Sequence, residues 1–193
     1  MKVCVIQPPY SFKEGDLDAC FKKVLTLLDN CDQTADIIVL PEHSDVPAHL
    51  NGKNAFYSAV EKNNKVLLQK AIQTAKRCNA LVFVNAGYFG EKGIRNTTYA
   101  IDRTGNVVDK YFKVHPAPSE VKKDYEGGHE LEVDYSLEYS SPHVVEIEGI
   151  KFAYLTCYDF YFYENFARLH VKKLTLLSVV HFKERIHRKR CLL

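Results

Sequence analysis

Three short, almost uninterrupted apolar runs constrain this 193-residue chain more than any other feature. They are Val3-Cys-Val-Ile6 within Lys2 to Gln7, Asp36-Ile-Ile-Val-Leu40, and Ala80-Leu-Val-Phe-Val84. Runs of this kind, without polar alternation, predict strands covered on both faces. Between them lie two amphipathic stripes at helical spacing. The first aligns Leu17, Cys20, Phe21, Val24, Leu27, Leu28 and Cys31, with Asp16 placed as its N-cap. The second, about Phe56 to Arg77, aligns Val60, Leu67, Leu68, Ala71, Ile72, Ala75 and Cys78. Strands with two covered faces need layers above and below them. The alternation therefore predicts an α/β architecture, with helices packed on a mixed sheet.

The second half of the chain reads as hairpins. Thr97–Asp102 and Val107–Phe112 flank the turn Arg103-Thr-Gly-Asn106. His143–Ile147 and Ile150–Thr156 flank Glu148-Gly149. Residues 116–142, rich in charge, Pro, Gly and Ser, are expected to form a long surface loop. Leu174 to Val180 is apolar enough for one further strand.

With 46% hydrophobic residues the chain is not a disordered one. No apolar run is long enough to span a membrane. The N-terminal run is short and followed by prolines, so it reads as a strand and not a signal peptide. Six scattered cysteines without Cys-x-x-Cys spacing argue against a zinc site, and reduced thiols in the cytoplasm are the expectation. The net charge of +2 hides an asymmetry: residues 170–193 carry +6 and the rest of the chain −4. The basic segment has one aromatic residue, Phe182, and no recognisable nucleic-acid-binding module, so no nucleic-acid partner is expected.

Three reactive side chains stand where predicted strands end: Glu42, Lys113 and Cys157. Strand ends in layered α/β folds hold groups rigidly while loops shape a pocket. Alone, each has a mundane reading as a loop carboxylate, a surface ammonium or an inert core thiol. Together they supply a base, a cation and a nucleophile. A thiol between a strand end and a helix start also lies near the positive end of a helix dipole, which favours thiolate.

The segments Leu40-Pro41-Glu42, Tyr111-Phe-Lys113-Val-His115 and Thr156-Cys157-Tyr158-Asp159 resemble, in order and spacing, the signature segments of the nitrilase, or carbon–nitrogen hydrolase, superfamily. Lys2–Gln7 and Asn96–Asp102 are similar to that family as well, and the resemblance covers roughly residues 1–168. It implies a four-layer α-β-β-α sandwich, incomplete here at the C-terminus. It also implies thiol-dependent hydrolysis of a small amide or N-carbamoyl compound through a Cys thioester, with release of ammonia. Glu42 would be the general base, Cys157 the nucleophile and Lys113 the cation that stabilises the tetrahedral intermediate. The second glutamate of many members would be Glu120, with Glu126 a rival and a solvated loop carboxylate the plain alternative. The Tyr158 backbone N–H would be an oxyanion donor, and His115 a structural or lining residue. No metal or organic cofactor is implied; the resemblance implies that intact relatives often form dimers or larger assemblies, so a homo-oligomer is an expectation for a complete domain. The competing reading is an inactive remnant, or a non-catalytic interaction protein that retains part of the fold.

After Arg168 the pattern changes. Residues 1–169 read as a partial hydrolase domain and 170–193 as an atypical basic tail. A shifted reading frame from about Leu169 can encode Asp followed by aliphatic residues, as the family pattern asks. The expectation is a truncated or frameshifted product, and sequencing the coding DNA around codon 169 checks it. A one-base insertion or deletion there is the expected result.

Overall fold

The computed structural model describes residues 1–13, 15–121, 128–139, 143–170 and 176–180. In chain order the elements are β1 (Val3–Val5), α1 (Leu17–Asp29), β2 (Ile37–Val39), α2 (Lys53–Cys78), β3 (Leu81–Phe89), β4 (Ile94–Ile101) and β5 (Val107–Phe112). They continue with the short α3 (Pro118–Val121), a 3₁₀ turn at Tyr135–Tyr139, β6 (Val144–Ile147), β7 (Ile150–Thr156), a 3₁₀ turn at Cys157–Tyr161, α4 (Tyr163–His170) and β8 (Leu176–Val180).

Two sheets result. The first has the order β1-β2-β3-β4-β5, parallel from β1 to β3 and antiparallel from β3 to β5. The second has the order β6-β7-β8, with β6 antiparallel and β8 parallel to β7. β8 thus lies inside the basic segment 170–193. Residues 171–175 and 181–193 fall outside the described residues.

Strand alternation sorts the side chains into layers. On one face of the first sheet Ile38, Val82, Val84, Tyr99 and Ile101 meet Phe21, Val24 and Leu28 of α1 and Leu67, Ala71 and Ala75 of α2. On the other face Ile37, Leu81, Phe83, Ala100 and Tyr111 meet Ile147, Phe152 and Tyr154 of the second sheet. The far face of that sheet, Ala153 and Leu155, is covered by Leu169 and Phe166 of α4. The order helix, sheet, sheet, helix is the α-β-β-α sandwich. Among the described residues no helix is long and apolar enough to cross a membrane.

Local chemistry explains the boundaries. α2 ends on Asn79 in the left-handed conformation (φ 51°), a common helix stop, and Ala80 N–H returns to Ala75 O at 3.1 Å. Arg77 on its last turn donates to Leu28 O at 2.8 Å and to Cys31 O, satisfying carbonyls at the end of α1 that have no intrahelical partner. Glu148 and Gly149 both have positive φ, 54° and 76°, as a two-residue hairpin turn of the right twist requires.

Four expectations need correction. β1 is an edge strand, not one covered on both faces: Val3 and Val5 are 46% and 63% exposed. The second sheet packs over Ile37 and Val39 of β2, and the packed cluster does not reach the outward residues of β1. Asp16 stands at the N-cap of α1, but its carboxylate accepts the Ser11 hydroxyl at 2.7 Å and caps no helix amide. β3 runs on through Asn85-Ala-Gly87 to Phe89, because β4 pairs with it all the way to Ile94. Residues 116–142 are not all surface loop: they contain α3 and bury Glu120 and Leu131.

The layering predicts where substitutions hurt. Leu67→Ala, at a fully buried position of α2, should lower stability by about 2–5 kcal/mol in urea denaturation. Val5→Ala on the open edge should change it by less than about 0.5 kcal/mol.

Candidate active site

The site is assembled from segments that follow β2, β5 and β7 and from the short α3. β5 alternates so that Tyr111 points between the sheets, and Lys113 follows two residues later on the same side. The Lys113 side chain is buried, and its Nζ donates to Glu42 Oε1 at 2.7 Å and Glu120 Oε2 at 2.6 Å. Glu42 arrives from the end of β2 through Pro41. Glu120 sits on α3, which Pro118 opens, and its Oε2 also accepts the Ala117 N–H at 2.6 Å. All three predicted charged residues therefore meet in one buried cluster. Glu120 is not a solvated loop carboxylate, and its rival Glu126 lies outside the described residues.

Cys157 joins them by breaking strand alternation. On β7, Ala153 and Leu155 face α4, and a regular strand would turn Cys157 the same way. Instead Cys157 has φ 48°, a left-handed backbone that a residue with a Cβ adopts at a cost of order 1–3 kcal/mol. The turn brings the thiol beside the Glu42 carboxylate and within range of Lys113. Tyr158, whose amide is the expected oxyanion donor, follows within the 3₁₀ turn.

Asp159 secures this geometry. It is fully buried and accepts Thr156 N–H at 2.9 Å, Tyr111 O–H at 2.8 Å and His115 N–H at 2.8 Å. One carboxylate thus ties the strand end before Cys157 to the chain on both sides of Lys113. His115 is structural: its Nδ1 lies 3.2 Å from Asp159 Oδ1 and its ring stacks on Phe162.

Three contributors are not visible in the sequence pattern. Asn96 Nδ2 donates to Glu42 Oε1 and to Glu120 Oε1, both at 2.8 Å, so one amide bridges the two carboxylates. Asn85 Nδ2 donates to Asn96 Oδ1 at 2.8 Å and fixes that orientation. His43 Nε2 lies 3.5 Å from Glu120 Oε1, and its backbone N–H donates to Asn85 Oδ1 at 2.8 Å. The one signal for Asn85 and Asn96 is a polar side chain at an inter-sheet position of a strand, and His43, in the turn after β2, has none. On an inter-sheet face such a group must find partners.

The charges follow from this packing. The flanking carboxylates hold the Lys113 ammonium well above the usual lysine range, although burial opposes its charge. Burial works against the Glu120 carboxylate too, but Lys113 and His43 hold it far below its usual range. Burial, and then the neighbouring Glu42 charge, push the Cys157 thiol up to about 12, with Lys113 pulling the other way. The resting sulfur is therefore a thiol. The helix-dipole expectation of a thiolate fails here, because desolvation and an adjacent carboxylate outweigh a short 3₁₀ turn. A protonated thiol next to a carboxylate is what a base-assisted nucleophile needs. Glu42, His43 and Glu120 also offer ligand atoms within 4.8 Å of one another, a spacing that a metal ion could use. The Lys113 ammonium, bonded to both carboxylates, already supplies the cation at that place.

A family model described as carbon-nitrogen hydrolase matches residues 2–192. The chain belongs to the carbon-nitrogen hydrolase family. The match runs past Arg168 and includes β8. Among solved structures, an amidase from Nesterenkonia sp. shares the fold with a TM-score of 0.64 at 15% identity, covering 94% of this chain and 64% of its own. A glutamine-dependent NAD+ synthetase from Acinetobacter baumannii, in complex with ADP, gives 0.63 at 16% identity over 93% of this chain and 32% of its own. A mutant of the Nesterenkonia amidase showing Michael addition of acrylamide at the active-site cysteine gives 0.65 at 14% identity, over 94% and 66%. The chain thus spans about two thirds of the length of that amidase. Among curated proteins none matches its sequence significantly.

Two outcomes are expected. Asp159→Asn leaves one oxygen where two serve several donors, and should cost about 2–4 kcal/mol in urea denaturation. Because the folded Glu120 carboxyl lies below its unfolded value, its contribution is complete above the ordinary carboxylate range and is lost as pH falls towards the folded value. Wild-type stability should drop in acid, and Glu120→Gln should flatten that limb of a stability–pH curve.

Proposed function

We propose that this chain carries the reacting groups of an amidase, hydrolysing a small amide through a thioester on Cys157. The supporting observation is the protonated Cys157 thiol placed beside Glu42, whose Oε1 is bonded to the buried Lys113 ammonium. Glu42 takes the thiol proton as Sγ attacks the substrate carbonyl carbon. The oxygen becomes an oxyanion, which Lys113 and the Tyr158 N–H stabilise in a site of low dielectric. Glu42 returns the proton to the nitrogen, the C–N bond breaks and ammonia leaves. A water molecule gives its proton to Glu42 and attacks the thioester, releasing the acid and the thiol. Glu120 acts by holding Lys113 and, through Asn96, Glu42.

A small uncharged amide suits this reading, since the buried charges of the cluster pair with one another and offer no free counter-charge to a charged substrate. The related amidase has been captured with butyramide, a small amide of that kind. N-carbamoyl compounds present the same carbonyl and are the first variants to try.

The test is ammonia release from a panel of small primary amides and N-carbamoyl compounds. Cys157→Ala should abolish it, and Glu42→Gln or Lys113→Met should lower kcat by at least about 100-fold. Rapid quenching should trap an acyl adduct on the Cys157 peptide. No ammonia from any panel member with the wild-type chain, or a Cys157→Ala protein that retains activity, rejects the proposal in favour of a non-catalytic protein that keeps the fold.

A further inference from the structure

His43 has no part in the hydrolytic steps, yet its half-buried ring lies against the groups that do. Its backbone is left-handed, φ 51°, and is held there by the bond from its N–H to Asn85 Oδ1. Such a conformation needs a supporting structure to maintain it, and here it aims the ring at Glu120. The ring is surrounded from several elements. Glu120 comes from α3, Glu42 and Asp45 flank it in the chain, and Lys113 follows β5. Asn96 comes from β4, Phe56 packs edge-on from α2, and His129 lies beyond at a ring separation of 6.4 Å.

Two counts bear on the protonation of this ring, the first on which nitrogen carries the proton and the second on its charge. The first is of hydrogen bonds. Asn96 has two amide hydrogens, and both are used, one on Glu42 Oε1 and one on Glu120 Oε1. Its 3.4 Å contact with His43 Nε2 cannot therefore be a donated bond. Nε2 faces the Glu120 carboxylate, an acceptor, at 3.5 Å, which places a proton on Nε2 in the neutral and the charged ring alike, while the buried Nδ1 has no hydrogen-bond partner among the described residues. The second count is of charge. Of the groups bonded around Lys113, Glu42 and Glu120 are two buried anions and Lys113 is one cation; Asp45 nearby is also fully buried, and burial raises its carboxyl above the usual range. A buried charge without a partner is costly, and the group in contact with the Glu120 carboxylate beside Lys113 is His43. His129 does not supply that charge, because burial first, and then the charge of His43, pull it down to about 4, and its ring stacks on Phe56.

We propose that His43 is the fourth charged member of the active cluster, an imidazolium that offsets Glu120 and so lets Lys113 act on Glu42 and Cys157. It is a positioning residue, because it works through Glu120 and does not touch the reacting atoms. The neighbouring carboxylates raise its affinity for a proton enough to overcome burial, which supports the same assignment. Loss of this proton adds one uncompensated negative charge near the Cys157 sulfur and makes thiolate formation harder. The proposal deepens the amidase reading by naming what regulates its thiol, but its test needs no substrate.

The measurement is the alkylation rate of Cys157 by iodoacetamide across pH, read by mass spectrometry of the Cys157 peptide, for wild type, His43→Gln and His43→Phe. On the acid side, near pH ~6 where an ordinary histidine begins to titrate, both variants should react about 3- to 10-fold more slowly, a shift of up to roughly one pKa unit in the thiol. Towards alkaline pH, where the wild-type imidazole has lost its proton, the three rates should converge. A slowing that is the same at every pH shows a structural role and overturns the proposal, as does no slowing at all. The imidazole resonances of His43 in the wild-type protein give a second arm that needs no variant to fold. Charged signals at neutral pH are expected, and neutral signals there overturn it. Failure of the amidase reading appears elsewhere, as absent ammonia release with the His43 titration intact.

Discussion

The site depends on the Lys113 ammonium held between two buried carboxylates. None of these charges could be buried alone, because the desolvation cost of a lone ion in a protein interior is several kcal/mol. Lys113 therefore needs Glu42 and Glu120, and each carboxylate needs Lys113. The arrangement also demands that three distant parts of the chain converge: the end of β2, the end of β5 and the short α3. Asn96 adds a fourth from β4, and its two N–H groups keep the carboxylates in register with each other.

Around that cluster the chain concentrates conformational strain where position matters. Cys157 and His43 both adopt left-handed backbones without being glycine. Each is followed or supported by a buried polar anchor, Asp159 for the first and Asn85 for the second. Asp159 couples the Cys157 turn to the Tyr111–His115 stretch, so the separation between thiol and ammonium is set by one carboxylate, not by loop packing. Relaxing the turn at Cys157 would return its side chain to the ordinary alternation of β7 and take it out of the cluster.

Much of this is readable in the chain. The three apolar runs and two helical stripes lead to layered α/β, and the family resemblance to a helix–sheet–sheet–helix sandwich. Glu42, Lys113 and Cys157 stand out because each closes a strand. What the chain hides is local: the exposed edge of β1, the missing side-chain cap at Asp16, and the extension of β3 to Phe89. Each depends on a neighbour in space. β1 is exposed because nothing described packs over Val3 and Val5, and β3 is long because β4 runs beside it. Glu120 reads as one carboxylate in a charged loop, since nothing in residues 116–142 announces that α3 folds back onto Lys113.

The sequence by itself determined which residues could react and which family pattern they belong to, because reactive side chains at strand ends and apolar periodicity are local properties of the chain. Only the tertiary structure decided their charge states. A thiol beside a carboxylate, an ammonium shared by two carboxylates and an amide bridging them are mostly contacts between residues tens of positions apart. Burial and proximity, not identity, set whether Cys157 rests as thiol or thiolate. The same reasoning places His43 in the cluster: a single histidine after a glutamate carries no message in sequence, and becomes significant when the fold sets its ring against Glu120.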